Sequence, residues 1–276
     1  MSVAVEDARV TARLDAELVR RGLARSRRHA GELLDAGRVQ VDGRAVGKAA
    51  RAVAPEAHLD VLADPDDADW ASRAALKLVG ALEALGAAAP AVAGRTCLDL
   101  GASTGGFTDV LLRRGAAHVT AVDVGHGQLL PRLREDPRVD AREGVNVRHL
   151  RPGDVPTPDL VVGDLSFISL TLVLGPVAAL LHPSSDVLLL VKPQFEVGRE
   201  RLGSGGVVRD AGAAAAAVHR VLVAAAGHGL ATAGLVPSPV VGTHGNREHV
   251  AHLRPLPAAV PPDLAWVARR TGAVPA

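Results

Sequence analysis

Cysteine is all but missing from this chain of 276 residues: Cys97 stands alone. That excludes an internal disulfide and a cysteine-rich metal centre, and no metal site of any kind is expected. Cys97 lies within an apolar stretch that reads as a buried strand, so it is expected to be a core residue. Long apolar runs are missing too. The longest, Leu170 to Leu181, is about a dozen residues and contains Thr171, Gly175 and Pro176, whereas a helical membrane span needs roughly 20. Met1 to Val10 carry mixed charges and no apolar centre, so no secretory signal is read there. The expectation is a cytoplasmic protein with no membrane partner. Net charge is only +1, so any affinity for nucleic acid has to come from local asymmetry. Tyrosine is absent and phenylalanine occurs three times, while alanine and glycine abound. That bias fits GC-rich codon usage more than a structural demand. The length accommodates one medium domain and a small one.

The stretch from Asp99 to Thr108 reads Asp-Leu-Gly-Ala-Ser-Thr-Gly-Gly-Phe-Thr. Arg95-Thr-Cys-Leu98 before it fits a buried parallel strand, and Val110-Leu-Leu112 after it fits the first turns of a helix. Strand, glycine-rich turn and helix form the first half of a nucleotide-binding βαβ unit. The glycines permit φ > 0 and a close ligand approach. A second apolar run, His118 to Val122, ends in Asp123, whose carboxylate suits a ribose diol. The spacing of Gly101, Gly105 and Gly106 is not the dinucleotide fingerprint. Asp99 at the strand end would repel a pyrophosphate. A cationic, phosphate-free cofactor is therefore favoured, and S-adenosylmethionine fits. A plain Rossmann-type turn with another nucleotide, or none, is the competing reading. The candidate cofactor-binding residues are Asp99, Gly101, Ala102, Ser103, Gly105, Gly106, Phe107, Asp123, Val124, Asn146 and Asp164.

Residues from about 11 to 53 form a separate small unit. Leu14, Leu18 and Val19 recur at helical spacing, and Gly22 suits a helix C′ position. Ser26 reads as the N-cap of a second helix running to Ala36. Val39-Gln-Val41 alternates like a strand, and Asp42-Gly43 marks a hairpin turn. From Arg13 to Arg51 there are ten Lys plus Arg against five Asp plus Glu. Such a patch holds RNA phosphates by charge and shape; the bland alternative is a solvated helix face. Arg13-Leu-Asp, Leu18-Val-Arg-Arg-Gly-Leu23, Ser26-Arg27, Ala30, Leu33-Leu34, Gly37-Arg-Val-Gln-Val41 and Asp42-Gly43 resemble the S4 RNA-binding domain. The resemblance implies an RNA contact made by Arg13, Arg20, Arg21, Arg25, Arg27, Arg28 and Arg38.

A linker-like stretch rich in Asp and Pro leads to Trp70, expected at a domain junction or near the cofactor. Ser72 reads as the N-cap of a helix whose core stripe is Leu78, Leu82 and Leu85, with Lys77 beside it. Gly144 to Arg148 reads as the loop after a third strand, where an adenine ring would lie, with His126 and Gly127 nearby. Asp159-Leu-Val-Val-Gly163 is a fourth buried strand closing on Asp164, and a helix is expected from about Leu170 to Leu181. Asp186-Val-Leu-Leu-Leu-Val191 is a fifth strand, delivering Lys192 to the same sheet edge. A helix from about Ala211 to Ala226, a strand beginning at Leu235, a final strand from His249 to Leu253 and a short helix from Asp263 to Arg270 complete the chain. Glu248 stands at the start of the final strand.

Lys77, Asp164, Lys192 and Glu248 thus converge. Methylating a ribose 2′-hydroxyl requires in-line attack by an oxygen whose proton a base removes. A lysine can be that base where burial and a second cation favour its neutral form. Lys192 is the candidate base, Lys77 the second cation, and Asp164 and Glu248 the carboxylates that orient them. From Ser72 onward the chain resembles the FtsJ-like ribose methyltransferases. Their Lys-Asp-Lys-Glu tetrad falls on Lys77 in Ser72-Arg-Ala-Ala-Leu-Lys, Asp164 in Gly-Asp-Leu-Ser-Phe, Lys192 in Val-Lys-Pro-Gln-Phe-Glu, and Glu248 in Gly-Asn-Arg-Glu. With the S4-like unit in front, it resembles the TlyA (haemolysin A-like) family. The resemblance implies an α/β, Rossmann-like class I methyltransferase sheet behind a small α+β S4 domain. It implies residues 1–63 as the S4 domain, 64–70 as linker and 71–276 as the methyltransferase. The implied activity is S-adenosylmethionine-dependent 2′-O-methylation of cytidine in 16S and/or 23S ribosomal RNA, within ribosomal subunits or the assembled ribosome. One departure from the family pattern is Trp70-Ala71, where a tyrosine is common. A membrane-active haemolysin and an RNA-binding protein with an inactive enzyme domain are the competing readings.

Overall fold

The structure, a computed structural model, describes residues 12–24, 27–35, 37–62, 70–198, 202, 205–242 and 245–273. The chain divides into two compact units, Met1–Asp69 and Trp70–Ala276.

The first unit contains β1 (Ala12–Arg13), α1 (Leu14–Arg20), α2 (Arg27–Asp35), β2 (Val39–Val41), β3 (Arg44–Ala45), β4 (Ala52–Val53) and β5 (Leu59–Val61). Leu14 and Leu18 of α1 share a buried core with Leu33 and Leu34 of α2 and with Val39, Val41 and Leu59 of the small sheet. The chain leaves α1 through Gly22 at φ 73°, as a helix C′ position requires. Asp42 (φ 51°) and Gly43 (φ 75°) take the two left-handed positions of the tight turn joining β2 to β3. Ser26 and Ala36, the expected ends of the second helix, lie outside the described residues.

The second unit runs α3 (Ala75–Leu85), β6 (Thr96–Leu100), α4 (Gly106–Arg113), β7 (His118–Asp123), α5 (Pro131–Arg134), β8 (Val139–Glu143), β9 (Leu160–Gly163), α6 (Leu174–Leu180), β10 (Asp186–Val191), α7 (Pro193–Glu196), α8 (Ala211–Gly227), β11 (Leu230–Pro237), β12 (His249–Pro255) and α9 (Leu264–Thr271). Its sheet has the order β11-β12-β10-β9-β6-β7-β8. The strands from β10 to β8 are parallel, and β12 runs antiparallel to both β10 and β11. Both faces are covered, so the continuous apolar run of β10 divides by pleat. Val187, Leu189 and Val191 join one core and Leu188 and Leu190 the other. Cys97 is fully buried, and burial pushes its thiol up to about 12, as suits an inert core residue.

Several boundaries differ from the sequence-based expectation. α4 starts at Gly106, not near Val110, so Gly106 and Phe107 belong to the helix and the turn is shorter. Ser72 is no side-chain cap of α3; its carbonyl accepts the Ala75 N–H at 3.0 Å, and the helix starts three residues later. The apolar run at Leu170 is a 3-10 turn (Leu170–Leu172) followed by α6, because Pro176 fits only in a helix's first turn. β11 begins at Leu230, five residues before the expected start; alternating Ala, Thr and Gly hid its pattern. Among the described residues, no helix is long and apolar enough to cross a membrane.

Candidate active site

Parallel pairing brings the C-terminal ends of β6, β7, β9 and β10 to one rim, which carries Asp99, Asp123, Asp164 and Lys192. β12 is antiparallel to β10, with His249 opposite Val191. A strand that runs backwards starts where its neighbours end, so Glu248 arrives at that same rim. Lys77, in the first turn of α3, completes the set.

The four side chains are in direct contact. Lys192 Nζ lies 2.5 Å from Asp164 Oδ1, and Lys77 Nζ lies 3.3 Å from Asp164 Oδ2. Lys77 also donates to Glu248 Oε2 at 2.7 Å. One carboxylate therefore bridges the two lysine side chains, and a second carboxylate meets Lys77. Lysine at a strand end ordinarily reaches solvent, yet Lys192 is only 6 % exposed. Buried charges at this density persist only when paired, as these are. Two further residues join the cluster without a role assigned from sequence. Ser166 Oγ accepts from Lys192 Nζ at 2.7 Å, and Gln194 Nε2 donates to Glu248 Oε1 at 3.1 Å. Both stand in quoted motifs, Gly-Asp-Leu-Ser-Phe and Val-Lys-Pro-Gln-Phe-Glu, which was the available signal.

The glycine-rich turn lies beside this cluster. Asp99 is fully buried; its Oδ2 accepts from Thr108 Oγ1 at 2.7 Å, and its Oδ1 has no hydrogen-bond partner among the described residues. Burial raises its carboxyl to about 7 against the pull of the Thr108 bonds. An unpaired, buried carboxylate oxygen calls for a donor or a cation. Asp123 accepts the N–H groups of Ser103 (2.8 Å) and Gly125 (2.7 Å), which ties the first two βα turns together. Gly101 (φ 81°) and Gly105 (φ 99°) take left-handed conformations. The space beside them is filled by protein, not left open. A Cβ on Gly101 would stand 3.2 Å from the Asp164 carbonyl, one on Gly105 would run into Leu133 and Leu129, and one on Gly106 into Ser72. Ser103 shares the left-handed backbone (φ 48°) and Ala102 is buried behind it. Phe107 points its ring into the core, so only its backbone borders the turn. Val124 is 69 % exposed. Asn146 accepts the Arg148 N–H at 3.0 Å. With Gly144, His149 and Leu150 it lines a cavity of about 380 Å³ beyond the end of β8, which Asp99 and Asp123 do not line. His126 packs over Gly144.

Trp70 stacks under the Arg113 guanidinium, 4.3 Å from the ring centre, and packs against the core beneath α3 and α4. Asp109 accepts the Ala71 N–H at 2.8 Å and pairs with Arg113 and Arg132.

The candidate RNA residues of the first unit are not equivalent. Arg13 and Arg20 are exposed and paired with Asp15 and Glu17. Arg27 is exposed at the start of α2. Arg21 is a cross-link within the unit: it binds Glu17 and donates to the Ala57 (2.6 Å) and Pro55 (2.8 Å) carbonyls. Arg38 donates to the Leu62 carbonyl at 2.9 Å. Arg25 and the side chain of Arg28 lie outside the described residues. Among the described residues, no cluster of His, Cys, Asp and Glu could hold a metal ion.

Residues 70–254 match the FtsJ-like methyltransferase family, and residues 12–59 match the S4 domain. The chain is 53 % identical over 244 residues to the Mycobacterium tuberculosis protein named 16S/23S rRNA (cytidine-2′-O)-methyltransferase TlyA, covering 88 % of this chain and 90 % of that one. It is 34 % identical to Hemolysin A of Brachyspira hyodysenteriae, covering 87 % and 98 % of the two chains. Among solved structures, one described as a hemolysin from Streptococcus thermophilus superposes with a TM-score of 0.77 at 35 % identity, covering 96 % of each chain.

Proposed function

The chain belongs to the FtsJ-like methyltransferase family and carries an S4 domain ahead of the enzyme; from that premise we propose that it methylates the ribose 2′-hydroxyl of cytidine in 16S and/or 23S ribosomal RNA. The observation that carries the reading is the contact network of Lys77, Asp164, Lys192 and Glu248 on the carboxyl rim. Names of relatives supply the nucleoside: the Mycobacterium tuberculosis protein is a cytidine-2′-O-methyltransferase.

S-adenosylmethionine supplies an electrophilic methyl on a sulfonium. The unpaired Oδ1 of buried Asp99 and the Asp123 carboxylate suit its ammonium and its ribose. Lys192, as the neutral amine, takes the proton of the substrate hydroxyl, and the oxygen becomes the nucleophile. The ammonium so formed is held by Asp164, already in contact with it. Lys77 stays cationic between Asp164 and Glu248 and stabilises the negative charge developing on the substrate oxygen. Attack by an exocyclic base nitrogen would not need two lysines on one carboxylate. Residues 71–276 carry this chemistry, and residues 1–63 hold ribosomal RNA, in a subunit or an assembled ribosome. There Arg20 and Arg27 serve as phosphate contacts.

The test is ribose-methylation mapping of ribosomal RNA from cells with and without the gene, complemented with wild type or Lys192→Ala. Wild type restores methylated cytidines and Lys192→Ala does not, although it still binds RNA. Methylation on a base, or full restoration by Lys192→Ala, overturns the reading.

A further inference from the structure

We infer that Glu196 is a positioning residue of the transfer reaction, the latch that holds the Asp164–Ser169 loop in its working shape; the inference rests on the proposed role of the lysine cluster. That loop leaves β9 with Asp164 on both lysines and Ser166 on Lys192. Its next residue, Phe167, takes φ 64° and is 92 % exposed. A bulky side chain keeps a left-handed backbone only where the surroundings over-determine it. On one side the lysines provide that constraint.

On the other side the constraint is Glu196. Its Oε2 accepts from Ser169 Oγ at 2.6 Å and its Oε1 accepts the Leu170 N–H at 2.8 Å. The carboxylate is half-buried between them, and its partial desolvation raises its pKa. Glu196 is the last residue of α7, which follows Lys192 directly. The same turn puts Phe195 against Phe167, ring centres 5.3 Å apart. Arg220 of α8 fixes the turn by donating to the Glu196 carbonyl at 2.5 Å. Base and loop are therefore built from two segments, β9's exit and the Lys192–Glu196 turn, tied at one end by Lys192 and at the other by the Glu196 carboxylate. Without it the Ser169 end of the loop is released and Ser166 and Asp164 are held on Lys192 by their own contacts alone, while the Asp99–Asp123 turn keeps its own hydrogen bonds.

The experiment compares Glu196→Ala, Glu196→Gln and Lys192→Ala in single-turnover methylation, donor-binding calorimetry and thermal melting. Glutamine can accept the Leu170 N–H and donate to Ser169 Oγ, so it preserves the latch. Glu196→Ala is expected to slow transfer by about 10- to 100-fold, the range of an ångström-scale misplacement, with donor affinity and melting temperature near wild type. Glu196→Gln is expected to recover most of the rate. Unchanged transfer in Glu196→Ala, a parallel loss of donor affinity and melting temperature, or no recovery in Glu196→Gln overturns the inference. Full activity of Lys192→Ala instead overturns the proposed chemistry, whatever the Glu196 variants do.

Discussion

Replacing Asp99 with asparagine asks whether the carboxylate at the end of β6 serves a ligand or the fold. Burial moves this carboxyl from the usual 3.8 to about 7. In the unfolded chain it has lost its proton well before pH 7. Between about pH 4 and 7 the folded state thus holds the extra proton, and stability falls as pH rises, by about 1.4 kcal/mol per pH unit. Integrated over the window, the folded protein carries a cost of up to about 4 kcal/mol above pH 7. Asparagine keeps the acceptor for Thr108 Oγ1 and removes the charge. Chemical denaturation of both proteins at about pH 4 to 8.5 is therefore expected to give similar stabilities at about pH 4 and an increasingly more stable Asp99→Asn as the pH rises toward about 7. Calorimetry at pH 8 is expected to show the opposite order for the proposed donor, with the variant binding at least about tenfold more weakly, since a charge-assisted contact is lost. Parallel stability curves would mean that Asp99 is not ionised at a cost. Undiminished donor binding would mean that its free oxygen faces no ligand.

Gly105→Ala combines a left-handed φ of 99° with a methyl against Leu133; denaturation is expected to show a loss of about 2 kcal/mol or more, and a loss within error would refute the packing account. At the opposite rim, burial pushes Asp186 up, but hydrogen bonds from Arg95, Arg254 and His252 outweigh it and hold the carboxyl at about 2. The stability it contributes is present above the unfolded value near 3.8 and is lost as pH falls toward 2. Asp186→Ala is expected to cost about 3 kcal/mol at pH 7 and much less near pH 2, read by denaturant midpoints. In the first unit, Arg20→Glu with Arg27→Glu is expected to weaken ribosomal RNA binding and flatten its dependence on salt, while donor affinity stays constant; filter binding across a salt series checks this.

Much of the site was legible because each part obeys a local rule. Five apolar residues before Lys192, and an acid closing each of the runs at Asp123 and Asp164, mark buried parallel strands whose ends share an edge. What local pattern could not show was where elements start when their residues are small. Gly106 opens a helix with Ser72 packed where a Cβ would stand, and β11 starts five residues early because pairing with β12, not alternation, defines it.

The places of the buried strands along the chain and the glycine turn were thus set by the chain itself, since burial on two faces and backbone freedom are properties of neighbouring residues, and the four charged residues were marked by their places at element ends and by the family motif; the order of the strands in the sheet was not. That Arg21 ties its own unit together, that Phe107 faces inward and that Ser166 and Gln194 join the lysine cluster were decided only in three dimensions. The reason is physical: a hydrogen bond or a side chain's facing depends on which distant backbone arrives beside it. Lys77 and Glu248, 171 positions apart, meet at 2.7 Å only because β12 runs against its neighbours.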